Sequence, residues 1–137
     1  MSGDNKGFQT GMASEYLVLS MLYRQGFDAY LTLGNKKSVD IIIRKDDGSI
    51  VTIDVKSVRG YDSIPAGNIV GDNNHFVVVV IYRNKFEDVK SLPECYVVPI
   101  AVAMECQKTF AGNRIDIFRK DIEKYKDRWD LIKGGTL

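Results

Sequence analysis

Apolar residues recur every three or four positions in residues 12–25, which is the spacing of one face of an α-helix. The members of this stripe are Met12, Tyr16, Leu19, Leu22 and Tyr23. Gly26 follows the stripe and is typical of the position just past a helix end. We therefore predict an N-terminal helix that packs this stripe against the core.

Short segments rich in β-branched and aromatic residues come next, and such residues are typical of strands. They predict strands at residues 27–33, 39–44, 50–57, 75–82 and 95–100. Residues 76–81 are apolar without interruption, as expected of a central strand that is buried on both faces. The pattern predicts an α/β fold with a central mixed sheet of about five strands, in one domain over residues 1–137.

The rest of the chain is less regular. Residues 58–74 contain several glycines and predict a long loop. A short helix is expected at residues 101–106, and a C-terminal amphipathic helix at residues 119–132 is expected to pack on the sheet. The apolar face of that last helix would consist of Ile122, Tyr125, Trp129 and Ile132.

Composition limits the possible chemistry. The chain is 45% hydrophobic and 27% charged, which is ordinary for a soluble globular protein. Two cysteines and one histidine cannot supply a Cys/His zinc set, so oxygen atoms must hold any divalent metal. We see neither a secretory signal nor an apolar run long enough to cross a bilayer, so we expect a cytoplasmic protein that does not contact membranes.

The hairpin formed by the second and third predicted strands brings two acidic residues together. A three-residue turn at residues 46–48, with Gly48 in the left-handed position, is a common hairpin connection. This turn pairs Arg44 with Ile50 and Ile42 with Thr52, and it sets Asp40 opposite Asp54. Like charges directly opposite one another destabilise a sheet, and a bound cation would remove that penalty.

Side-chain alternation places Asp54 and Lys56 on the face that carries Asp40. Mg²⁺ prefers carboxylate, carbonyl and water oxygens, so Asp40, Asp54 and the backbone carbonyl of Val55 would make an open site. Lys56 beside the metal could orient or help deprotonate an attacking water, or stabilise charge on a phosphate.

Glu15 is the fourth candidate. It lies between Leu19 and Leu22 on a helical wheel, within the predicted buried stripe. A glutamate is seldom buried unless it is paired or binds a metal. The alternative is a glutamate at the edge of the helix that reaches solvent.

The order Glu15, Asp40, Asp54-Val55-Lys56 resembles the PD-(D/E)XK endonuclease superfamily, and within it the small archaeal Holliday junction resolvases and bacterial members of uncharacterised role. Val39 stands where the family name has proline. The resemblance implies a restriction-endonuclease-like fold and hydrolysis of DNA phosphodiesters with Mg²⁺ or Mn²⁺. It also implies metal ligation by Asp40 and Asp54, a catalytic role for Lys56, and auxiliary ligation by Glu15, often through water.

Several alternatives stay open. Lys36, Lys37, Ser57 and Arg59 are candidate nucleic-acid contacts, although a charged segment of this kind is equally typical of a solvated face. The substrate could be DNA, in a branched or otherwise structured form, or RNA. The net charge of +1 favours a third reading, a catalytically silent binding module. His75 is a general-base candidate or a capping residue, and a homodimer is neither required nor excluded.

Overall fold

The computed structural model describes residues 5–32 and 39–135, so Lys36 and Lys37 lie outside the described residues. Helix α1 spans Asn5–Arg24 and begins seven residues earlier than predicted. The predicted buried stripe is wrong in part: Leu22 is buried and Leu19 packs against the core, but Tyr16 and Tyr23 are each 54% exposed. The buried positions of the helix are Thr10, Ser14, Val18 and Leu22.

Small hydroxyl side chains explain why this face of α1 is the buried one. The Ser14 hydroxyl lies 2.6 Å from the carbonyl of Thr10, to which it donates, and 3.0 Å from the Tyr82 hydroxyl. Thr10 donates in the same way to the carbonyl of Lys6. Because these polar atoms are satisfied locally, two short side chains can face the sheet without a desolvation penalty. The hydrophobic pattern alone therefore predicted a different face of α1 from the one that is buried.

The main sheet is mixed, and five strands of the described residues form it: β1 (Asp28–Leu31), β2 (Ile41–Arg44), β3 (Ile50–Val58), β5 (His75–Ile81) and β6 (Glu94–Pro99). Across the sheet their order is β1-β2-β3-β5-β6. Strands β3 and β5 are parallel, and the other neighbours are antiparallel. Val77, Val78, Val79 and Val80 in β5 are fully buried, so the prediction of a central strand is confirmed.

A second, three-stranded sheet was not predicted. Strand β4 (Ser63–Pro65) lies inside the segment predicted as a loop, and it pairs with β8 (Ile115–Phe118), which pairs with β7 (Lys108–Thr109). Helix α2 (Ile100–Cys106) matches the short helix that was expected. These three strands are two to four residues long, too short to show a clear alternation in the sequence.

Apolar clusters cover the two faces of the main sheet. On one face, Val18 and Leu22 of α1 pack with Ile41 and Ile53. On the other face, Ile64 of β4 and Ile117 of β8 pack with Val77 and Val79, in a cluster that also takes in α2. No helix in the described ranges is long and apolar enough to cross a membrane.

The predicted C-terminal helix is wrong. Residues 119–132 form separate 3₁₀ segments at Arg119–Asp121, Glu123–Tyr125 and Trp129–Lys133. Lys126 instead forms a bridge with Tyr96 of β6, and the Asp127 N–H donates to the carbonyl of Cys95. The four predicted apolar residues are still buried. Pairing with β6 thus overrides the helical pattern and protects part of an edge strand.

Candidate active site

The hairpin of β2 and β3 has the predicted register. Arg44 pairs with Ile50 and Ile42 pairs with Thr52. The Lys45 N–H donates to the Ser49 carbonyl at 2.9 Å, and Gly48 has a φ of 86°, as the turn requires. The turn residues therefore specify the pairing of the two strands that carry the candidate site.

A β-bulge shifts Asp40 away from the direct pairing with Asp54. The regular ladder ends at Ile41 and Ile53, and the Asp40 N–H also points to β3, donating to the Ile53 carbonyl at 2.8 Å. The Asp40 carbonyl instead accepts from the Thr32 N–H, on the side of β1. In a regular strand both groups of one residue point the same way, so this residue is bulged.

The bulge turns the Asp40 carboxylate toward the backbone of β3. Its Oδ2 accepts the Val55 N–H at 2.7 Å. The carbonyl of Val55 points to the same side of β3 as its N–H, because both groups of a strand residue do so. The Asp40 carboxylate and the Val55 carbonyl therefore flank the same space, beyond the end of β2.

Asp54 is a buried acid without full compensation. Its side chain is 4% exposed, and its Oδ2 has no hydrogen-bond partner among the residues that the structure describes. The Nζ of Lys56 lies 3.6 Å from that oxygen, an ion-pair distance that is too long for a strong hydrogen bond. Burial raises the pKa of Asp54 to about 7; the nearby Asp40 carboxylate adds to the rise and Lys56 opposes it.

The charge of Asp40 also affects the carboxyl group of Glu15. Burial raises its pKa to about 7, and the charge of Asp40 adds to that rise. In the described part of the chain, however, no three His, Cys, Asp or Glu side chains are close enough to form a metal cluster. The oxygen atoms that could hold a divalent ion here are those of the Asp40 and Asp54 carboxylates and the Val55 carbonyl, and water would have to fill the other positions, as is common for Mg²⁺.

Two other candidates are placed differently. Ser57 lies on β3 beyond Lys56 and is partly buried. Arg59 is bound to α1, because its Nε donates to the Thr10 hydroxyl at 2.7 Å and its guanidinium lies 3.9 Å from the centre of the Phe86 ring. This arrangement gives Arg59 a structural role, and its contact with nucleic acid stays a prediction.

His75 lies closer to the site than the sequence indicated. Its Nδ1 is 2.6 Å from the Thr52 hydroxyl, and its Nε2 is buried without a partner. Burial lowers the pKa of His75, while the charges of Asp72 and Asp40 oppose this effect. The alternation of Thr52 and Asp54 along β3 was the available signal, but the pairing of β3 with β5 could not be read from the sequence.

The backbone at Gly71 lies directly against the His75 side chain. A Cβ on Gly71 would lie 2.5 Å from Cγ of His75, far inside van der Waals contact. We expect Gly71→Ala to lower the free energy of unfolding by about 1–3 kcal/mol, because the crowded ring or the loop must move. Urea denaturation measures the change. Gly67→Ala is the matched control, since nothing lies within 4 Å of its Cβ; equal losses in both variants would contradict the proposed crowding.

Helix α1 and the mixed sheet form the core of a restriction-endonuclease-like fold, which two solved structures share. The bacterial homing endonuclease I-Ssp6803I has a similar structure, with a TM-score of 0.61 and 16% sequence identity, covering 92% of this chain and 91% of that one. So does Hjc, a Holliday junction resolvase from the archaeal hyperthermophile Archaeoglobus fulgidus, with a TM-score of 0.59, 14% identity, and coverage of 93% and 98%. No protein-family model matches the chain, and no curated protein sequence matches it.

Proposed function

We propose that this protein is an endonuclease that hydrolyses DNA phosphodiester bonds with a bound Mg²⁺ or Mn²⁺. The observation that carries the proposal is the buried Asp54 carboxylate, whose Oδ2 lacks a hydrogen-bond partner and lies beside Asp40 and Lys56. A buried charge without compensation is costly, and a divalent cation would supply the missing partner. Both structural neighbours are nucleases, which supports the same assignment.

Each residue would have a distinct task. The carboxylates of Asp40 and Asp54 and the carbonyl of Val55 would hold the ion, with Glu15 reaching it through water. The ion supplies positive charge to a phosphate oxygen and makes nearby water more acidic. The Val55 N–H keeps the Asp40 carboxylate in place. Lys56 would orient the attacking water or stabilise the negative charge that builds up on the phosphate.

A panel of end-labelled substrates tests this proposal. It contains a DNA duplex, a DNA single strand, a four-way DNA junction and an RNA of the same sequence, each with Mg²⁺, Mn²⁺ or EDTA. We expect cleavage of DNA with either metal and none with EDTA. Cleavage of RNA alone would move the substrate to RNA and keep the site. Cleavage in EDTA, or no cleavage of any substrate, would contradict the proposal.

Calorimetric titration with Mn²⁺ separates an enzyme from a silent binding module. We expect the wild type to bind Mn²⁺, and Asp54→Asn to bind it about tenfold more weakly or worse, because a charged ligand is lost. Asp116→Asn is the matched control, since Asp116 is also a buried aspartate but lies in the second sheet. A wild-type protein that does not bind Mn²⁺ would fit the silent module.

A further inference from the structure

One face of the main sheet carries an exposed surface that runs up to Asp54. We call it the platform, and its residues are Tyr30, Ile42, Arg44, Ile50 and Thr52. Tyr30 pairs with Ile42, and Ile42 pairs with Thr52, so these three side chains form one row across β1, β2 and β3. Thr52 and Asp54 alternate on β3, which places the row on the same face as Asp54 and Lys56.

Within residues 5–32 and 39–135, the packing leaves the platform open. Helix α1 lies on the opposite face, over Ala29, Ile41 and Ile53. The second sheet packs on the same face as the platform, against the half formed by β5 and β6. As a result Tyr30 is 49% exposed and Ile50 is 44% exposed. The open part of this face therefore belongs to β1, β2 and β3 and borders the candidate site.

The Tyr30 hydroxyl has a neighbouring carboxylate as its partner. A hydrogen bond from Tyr30 is the first cause of the lowered pKa of Asp28. The Nε of Arg44 also lies 3.0 Å from that carboxylate. A partner of this kind reduces the conformational freedom that the Tyr30 side chain would lose when a flat group stacks on its ring.

We infer that the platform binds an unpaired nucleobase of the substrate, stacked on Tyr30, so that the enzyme acts on nucleic acid with unpaired bases beside the scissile bond. The inference rests on the proposed nuclease function. A molecule that presents a phosphodiester to Asp54 would lie next to this surface, because Thr52 and Asp54 are on the same face of β3. Sheet dimensions put the row of Tyr30 about 7 Å from the row of Asp54, and β1 about 10 Å from β3.

The chemistry of the platform favours binding of a nucleobase over binding of another protein chain. Exposed aromatic side chains on a sheet surface bind splayed bases by stacking, and this works for every base because each has a flat π-face. Bases inside a duplex are already stacked on their neighbours and cannot lie on Tyr30.

Stacking can be measured without cleavage. The probe is a DNA duplex with a single unpaired 2-aminopurine, studied with Ca²⁺ in place of Mg²⁺, and a fully paired duplex and an RNA version are the other arms. We expect the wild type and Tyr30→Phe to quench the fluorescence of the unpaired base. Tyr30→Ala should bind the unpaired probe about 5- to 150-fold more weakly, and its affinity for the paired duplex should change less than twofold.

Tyr16→Ala is the matched control, because Tyr16 is also a half-exposed tyrosine but lies on α1. The inference is overturned if the wild type does not quench the probe, if Tyr30→Ala behaves like the wild type, or if Tyr16→Ala causes an equal loss. It is also overturned if Tyr30→Ala only dissociates a dimer, as gel filtration would show. Quenching without any cleavage in Mg²⁺ would reject the proposed hydrolysis alone, and cleavage that Tyr30→Ala leaves unchanged would reject the platform alone.

Discussion

Asp54→Asn is expected to lower the rate of DNA cleavage by about 10³-fold or more at saturating Mg²⁺. Asparagine has nearly the same shape but carries no charge, so the site loses an anionic ligand while the packing around it is kept. Asp54 combines a buried oxygen that lacks a hydrogen-bond partner among the described residues with the neighbouring charges of Asp40 and Lys56, so its loss should affect the transition state strongly. Single-turnover cleavage of a labelled substrate measures the change.

Two comparisons show whether the loss is specific to the site. Asp116→Asn should keep nearly full activity, because Asp116 lies in the second sheet, where Ser63 donates to it. Lys56→Ala should lose cleavage as well but retain Mn²⁺ binding, since Lys56 acts on the water or the phosphate rather than on the ion. An Asp54→Asn protein that folds and cleaves at the wild-type rate would disprove the assigned site.

The metal-free protein is expected to lose stability as the pH rises. The pKa of Asp54 is about 7 in the folded protein, against an ordinary value of 3.8, so folding favours the protonated carboxyl. Its stabilising contribution is complete below pH 3.8 and is lost as the pH rises through about 7. Most of this loss falls between pH 5 and 7 and amounts to about 2–3 kcal/mol, at roughly 1.4 kcal/mol per pH unit.

Urea denaturation in EDTA at several pH values measures this loss. Asp54→Asn should remove the part of the pH dependence that Asp54 causes, leaving the part from Glu15, and should be more stable than the wild type at pH 8. Glu15 contributes in the same direction, because its pKa is also raised, whereas the lowered pKa of His75 destabilises the protein as the pH falls. Mg²⁺ should restore stability to the wild type at pH 8 but not to Asp54→Asn. Equal pH profiles for the two proteins would contradict the assignment.

The hairpin could be predicted because local rules decide it. The turn at residues 46–48 requires a left-handed glycine, and two-residue alternation then specifies which side chains face each other. This was enough to bring Asp54 and Lys56 together. It could not reveal the bulge at Asp40, because a bulge depends on hydrogen bonds to both neighbouring strands rather than on the pattern within one strand.

Long-range pairing accounts for the wrong predictions. The C-terminal segment has the spacing of an amphipathic helix, but its contacts with Cys95 and Tyr96 of β6 prevent a continuous one. In α1 the buried face is chosen by hydroxyl groups that bond to their own helix, so Ser14 is buried and Tyr16 is not. In both cases contacts in the folded protein determine the structure, and they differ from what the local sequence pattern predicts.

The bulge at Asp40 has a consequence for the way an ion would be captured. Its backbone is anchored on both sides, by the Thr32 N–H and by the Ile53 carbonyl. The Asp40 carboxylate would therefore be oriented before a cation arrives, so binding of the cation would not have to order a flexible segment. Metal binding should then leave the hairpin of β2 and β3 unchanged. The amide hydrogens of Thr32 and Asp40 should exchange with solvent as slowly in the metal-free protein as in the metal-bound protein.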